Sequence, residues 1–223
     1  MTIHQRMRQV AIGESGFTLL EVLVAILILS ALSTAVIGFS IQANKSSSVA
    51  QHDQVAVTLA TDAMEVIAAA PSAINPSTRV SALYGGRTQA EVVAARSANS
   101  GLSGVSNTYD MWDINATGST PDAIPLTQTD TFNGTVYTTT TIIGTCYRPL
   151  SAAVGTGCGK LALPASAMPI LSPAYVDPTP VGYVSETRVM VLVTWVSTPD
   201  CPSGCSFNSS TILDSNSDLS WVS

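Results

Sequence analysis

The sequence predicts an α+β chain in which one long N-terminal helix, with a membrane half and an amphipathic half, packs on an antiparallel β-sheet with disulfide-closed loops. Three observations carry that expectation. Val22 to Phe39 is an 18-residue stretch without charge, and no proline interrupts the chain from Phe17 to Ala70. Thr131 to Cys146 and Val181 to Ser197 are dense in β-branched and aromatic residues, which suit a pleated, half-buried surface. All four cysteines, Cys146, Cys158, Cys201 and Cys205, fall after residue 145.

With 223 residues the chain has room for one domain and an appendage. A mean hydropathy of +0.33 alongside only 11% charged residues is more apolar than a soluble domain needs, so the excess belongs in one place, near the N-terminus. Nine Lys+Arg against fifteen Asp+Glu give a net charge of −6. The cations are scattered and form no patch able to neutralise phosphates, so direct nucleic-acid binding is not expected.

As a helix, Val22 to Phe39 spans about 27 Å, close to a hydrocarbon core of about 30 Å, so it crosses a membrane once. Arg6 and Arg8 precede it and the acidic bulk follows. The positive-inside rule then places the leader in the cytoplasm and everything after about residue 42 outside. A cleaved secretory signal, with a cut near Ser30 to Ala35, and a plain signal anchor are both compatible with that much. Glu21 argues against both. A carboxylate within the apolar run costs on the order of 2.5 to 3.5 kcal/mol near the bilayer centre, and such a residue normally has a partner.

Gly16, Phe17 and Glu21, set in GFTLLEVLVAILIL, resemble the class III leader and N-terminal helix of type IV pilins and type II secretion pseudopilins. The resemblance implies a pilin-like fold, cleavage between Gly16 and Phe17 by a prepilin peptidase, N-methylation of Phe17, and retention of the apolar helix in the mature subunit. It implies as partners the peptidase, other pilins or pseudopilins, an inner-membrane assembly platform and membrane lipid. The expected organisation is a leader over 1–16, a transmembrane and assembly half over 17–41, an amphipathic half over 42–70 and an extracytoplasmic β-rich domain over 71–223. The Phe17 ammonium and Glu21, one turn apart, would offset each other's desolvation within or between subunits. Gly38 stands where many major pilins carry a helix-bending proline, and is expected either to allow local melting or to permit close helix packing.

The segments Ala60–Ile67 (ATDAMEVI) and Thr187–Trp195 (TRVMVLVTW) look most like minor pilins of the PilV type. In such proteins the resemblance implies a role in initiating or modifying the pilus, hence in adhesion, motility or DNA uptake. The alternatives are a type II secretion pseudopilin and a membrane-anchored extracellular binding protein that never polymerises.

Beyond the membrane half, Val49, Ala56, Leu59, Ala63, Val66 and Ala70 are expected to form the docking stripe of the helix, which Pro71 ends. Residues 71–130 read as loops with one short helix at 87–97. Val181 to Ser197 is apolar on both faces and belongs in the centre of a sheet. A last strand near Phe207 to Leu213 would follow a Cys201–Cys205 turn, and Thr135 with Thr138 to Thr141 reads as an exposed or edge part of a strand.

Catalysis is not expected. His4 lies in the leader and His52 reads as a solvated helix residue, which leaves no base for a nucleophile and no zinc-ligand spacing. No cofactor is implied. Asp110 and Asp113 flank Trp112 and would hold calcium only with further oxygens. Trp112, Trp195 and Trp221 are expected to pack in the core or an interface. Four cysteines in an oxidising compartment allow three pairings. Cys146 with Cys158 and Cys201 with Cys205 is the favoured one, because each closes a short loop rich in Gly, Pro and Ser.

Overall fold

The computed structural model describes residues 18–69, 83–152, 157–161, 179–197 and 201–214. The chain divides into two compact units, Met1–Ser48 and Val49–Ser223. Gly16, Phe17, His4, Ala70, Pro71 and Trp221 lie outside the described residues.

Helix α1 runs from Leu19 to Ala69 and α2 from Gln89 to Ala98. Helix α2 starts on a reciprocal cap in which Glu91 donates its amide to Thr88 Oγ1 and Thr88 donates its own amide to the Glu91 carboxylate. The Thr88 hydroxyl also donates to that carboxylate (2.6 Å), and this bond, with the one from the Thr88 amide, holds the Glu91 carboxyl below its ordinary range.

Five strands follow: β1 (Tyr109–Asp110), β2 (Thr127–Phe132), β3 (Thr135–Pro149), β4 (Tyr183–Ser197) and β5 (Cys201–Asp214). They form one antiparallel sheet in the order β1-β3-β4-β5, with β2 pairing the same side of β3 as β1. The two short strands lie end to end there, β1 against Gly144 and Thr145 and β2 against Thr135 to Thr140.

Thr131 to Cys146 is therefore not one strand but parts of two. Asn133 (φ 49°) and Gly134 (φ 80°) turn the chain back between β2 and β3, since both positions require positive φ and an Asn-Gly pair tolerates it. The threonine run is not at an edge either. Strand β3 has neighbours on both sides, and Thr139 and Thr141 are buried on its helix-facing side. The Cys201–Cys205 segment lies within β5 rather than in a turn. Trp195 stands opposite Cys205 and Ser197 opposite Cys201, so two residue steps in β4 match four in β5, forming a bulge.

Within the second unit, one sheet face carries Tyr137 and Ile143 from β3 and Val189, Val191, Val193 and Trp195 from β4, packed with Ala56, Ala60 and Ile67 of α1. The observed helix stripe is shifted from the expected one. His52, Val55, Ala56, Leu59, Ala60, Ala63, Met64 and Ile67 face inward, whereas Val49 and Val66 are exposed. Spacings of 3 and 4 hold this set on one face, and two alanines at its centre let the helix backbone approach the sheet. The opposite sheet face buries Ile142 and Met190 under Val105 and Leu102. Strand β4 is thus covered on both faces, as its sequence requires.

Arg87 joins the loops to this sheet. Its side chain is 1% exposed, and its guanidinium donates to the carbonyls of Ile124 (3.0 and 2.9 Å) and Thr141 (3.1 Å). Burial lowers its pKa to about 10, with Asp122 acting in the opposite direction. The neighbouring Gly86 has φ +86°, and a Cβ there would lie 2.1 Å from the Pro121 carbonyl oxygen. Only glycine fits that close approach.

Candidate functional site in the N-terminal helix

The site begins with the local rules for starting a helix. Glu21 donates its amide to Thr18 Oγ1 (3.3 Å) and Thr18 O (3.0 Å), so Thr18 caps α1 and Glu21 falls in its first turn. Thr18-x-x-Glu21 is the capping-box spacing, a start signal legible in the sequence beside the hydrophobic run. It keeps an acidic residue beside the positive end of the helix dipole. The Glu21 side chain is exposed.

From Val22 to Phe39 the helix carries no charge on any side, and none of its most apolar 18-residue window is buried. A helix of that kind needs lipid or other helices around it. Its hydroxyls are satisfied from within: Ser30 donates to Leu27 O (2.9 Å), Ser33 to Leu29 O (2.8 Å), Thr34 to Ala31 O (2.8 Å) and Ser40 to Val36 O (2.9 Å). Such back-bonding lets Ser and Thr sit in an apolar medium with no stranded donor. Helix α1 continues unbroken through Gly38, where an added Cβ would meet nothing within 4 Å. No contact among the described residues requires glycine there.

The structure places the other candidate residues in supporting roles. Cys146 pairs with Cys158 and Cys201 with Cys205, at Cα–Cα distances of 5.3 and 5.6 Å. His52 is not a solvated helix residue: its Nδ1 lies 2.6 Å from the Tyr137 hydroxyl. Its place four residues before Ala56 on the buried stripe could have signalled this. Burial raises the Tyr137 pKa, and the Asp53 charge adds to the shift. Asp110 is ion-paired with Arg96, and Asp113 accepts the amides of Gly86 (3.1 Å) and Asn115 (2.9 Å), so both carboxylates are committed to structure. Among the described residues no three His, Cys, Asp or Glu side chains gather where they could hold a metal. Trp195 is buried in the core and Trp112 is half-buried. Arg87 had no sequence signal, because its partners are backbone carbonyls 37 and 54 residues away.

Residues 13–37 match the family model described as the prokaryotic N-terminal methylation motif. No curated protein and no solved structure matches the chain. The motif takes in Gly16, Phe17, Glu21 and most of the apolar run. It implies processing by a prepilin peptidase and association with other pilins, and families with it are structural rather than catalytic. With a class III prepilin leader ahead of a long apolar helix and an antiparallel, disulfide-bonded sheet, the chain is type IV pilin- or pseudopilin-like.

Proposed function

We infer that the chain is a minor pilin, of the PilV type, that initiates or modifies a type IV pilus and so acts in adhesion, motility or DNA uptake. Prepilin peptidase cleaves between Gly16 and Phe17, Phe17 is N-methylated, and the residues after about 42 stand outside the inner membrane before the subunit enters the filament. The observation that carries this reading is the methylation motif over 13–37, joined to a helix whose apolar surface is unburied along its membrane half. A secretory signal needs no glutamate in its apolar run, whereas an assembling helix has a use for one.

In the assembled state Glu21 neutralises the newly exposed ammonium of Phe17, its own or a neighbour's, and that pairing fixes the axial register of packed helices. Removing one member of a buried ion pair typically costs about 3 to 5 kcal/mol, because the other charge is stranded. Glu21→Ala and Glu21→Leu are expected to leave the protein inserted in the membrane and nearly absent from sheared filaments by immunoblot. Wild-type incorporation of either variant would overturn the role. Gly38 contributes close helix packing, so Gly38→Leu is expected to reduce incorporation more than Gly38→Ala.

A further inference from the structure

We propose that β5 is a homotypic interface: its segment Ser206–Leu213 pairs antiparallel with the same segment of a second copy, about a two-fold axis through Ser210. Among the described residues, the outer edge of β5 pairs with no other strand. Sheet edges left open in natural proteins are normally blunted by lysine, proline, a bulge or short length. The edge strand β2 is six residues long and carries Asp130. Strand β5 is 14 residues long, and its only such device is at its start, where the Cys201–Cys205 disulfide locks the bulge and Pro202 lies within it. From Ser206 to Leu213 it has no charge, no proline and no register shift.

The sequence of that segment complements itself. With Ser210 opposite Ser210, Phe207 faces Leu213 and Ser209 faces Thr211, an apolar pair and a hydroxyl pair of the kind that stabilise antiparallel ladders. Ser210 is also the midpoint between the end of the bulge and Asp214, so this register uses the whole regular edge. Position 214 of each copy then faces Ser206 of the other, which puts the two 214 backbone positions about 27 Å apart along the strands at about 3.4 Å per residue. Removal of residues 1–16 takes away Arg6, Arg8 and Glu14, leaving 7 cations and 14 acids, a net −7. Two such copies repel each other at long range, and a contact built of backbone groups and hydroxyls, free of charge from Ser206 to Leu213, is penalised least. An isologous contact of this kind closes on itself as a dimer.

The test uses the full-length chain in its own membrane. Ser210→Cys is expected to give a disulfide-linked dimer on a non-reducing gel, because antiparallel partners bring the two Cα atoms within bonding range. Thr129→Cys, exposed on β2, is the control and should stay monomeric. In the Ser210→Cys background, Asn208→Lys with Ile212→Lys places like charges opposite and should abolish the cross-link, while Asn208→Lys with Ile212→Glu should restore it. Cross-linking of Ser210→Cys no stronger than that of Thr129→Cys, adducts of a mass other than twice the monomer, or equal behaviour of the two double variants would overturn the proposal. The outcome is independent of the minor-pilin reading, since membrane-stored precursor with uncut Gly16 can be assayed in the same way.

Discussion

The Nδ1 of His52 lies 2.6 Å from the hydroxyl of Tyr137, joining helix α1 to strand β3 across 85 residues of sequence. Tyr137 sits in turn against Trp195 (ring centroids 5.7 Å) and Phe132 (6.1 Å), so one polar contact anchors an aromatic cluster under the helix. Removing the hydroxyl in Tyr137→Phe is expected to cost about 1 kcal/mol, within the usual range for a hydrogen bond. A double-mutant cycle with His52→Ala, read by urea unfolding in detergent, should show the two changes to be non-additive. Additive losses would mean that the contact is not made.

The same tyrosine gives a pH signature. Burial raises its pKa above the ordinary value near 10, so in alkali the folded state holds the phenolic proton that the unfolded state has released. Stability from this group is therefore fully present below about pH 10 and is lost as pH rises toward the higher folded pKa. Arg87, whose folded pKa is lowered to about 10, contributes the opposite slope above that pH, so the comparison is between variants. Wild type should lose stability more steeply than Tyr137→Phe between about pH 9.5 and 11. Parallel curves would contradict the assignment.

Arg87 should tolerate no replacement. Arg87→Met strands the carbonyls of Ile124 and Thr141, and a loss of about 3 kcal/mol or more is expected. Arg87→Lys should recover little, since a single ammonium does not reproduce the guanidinium fork that reaches both carbonyls. Full recovery with lysine, measured as the urea midpoint, would show that charge alone matters there.

Gly86→Ala and Gly38→Ala should move stability in opposite directions. At Gly86 a Cβ would strike the Pro121 carbonyl at positive φ, and a loss of about 2 kcal/mol or more is expected. At Gly38 the Cβ meets nothing, and alanine should strengthen the helix by about 1 kcal/mol. Circular dichroism melts of the two variants check the pair.

Chain-entropy arithmetic predicts that replacing the Cys146–Cys158 pair by serines costs about 3 kcal/mol and replacing Cys201–Cys205 about 2 kcal/mol, because the second loop is shorter. Thermal unfolding of the two double variants should rank them in that order. The reverse order would point to packing around β5 rather than loop closure.

Local signals made part of this fold legible. The unbroken run to Ala70 announced α1, and apolar residues on both faces announced a central β4, because periodicity reports what surrounds an element. The Asn133-Gly134 turn is equally local, but it sits inside a run of strand formers that masks it. Threonine composition does not report burial at β3: Thr139 and Thr141 are buried on the face that carries Tyr137 and Ile143, where packing from elsewhere in the chain decides exposure. The contacts of His52 and Arg87 depend on chain segments 37 to 85 residues distant, so no spacing rule reaches them. At the candidate site the motif around Glu21 is readable because Gly16, Phe17 and Glu21 fall within six consecutive residues of the sequence.

The most direct test is intact-mass and tandem mass spectrometry of the native protein's N-terminus. The account predicts a mature chain beginning at N-methylated Phe17. An intact Met1, or a start near residue 32 or 36, would contradict it.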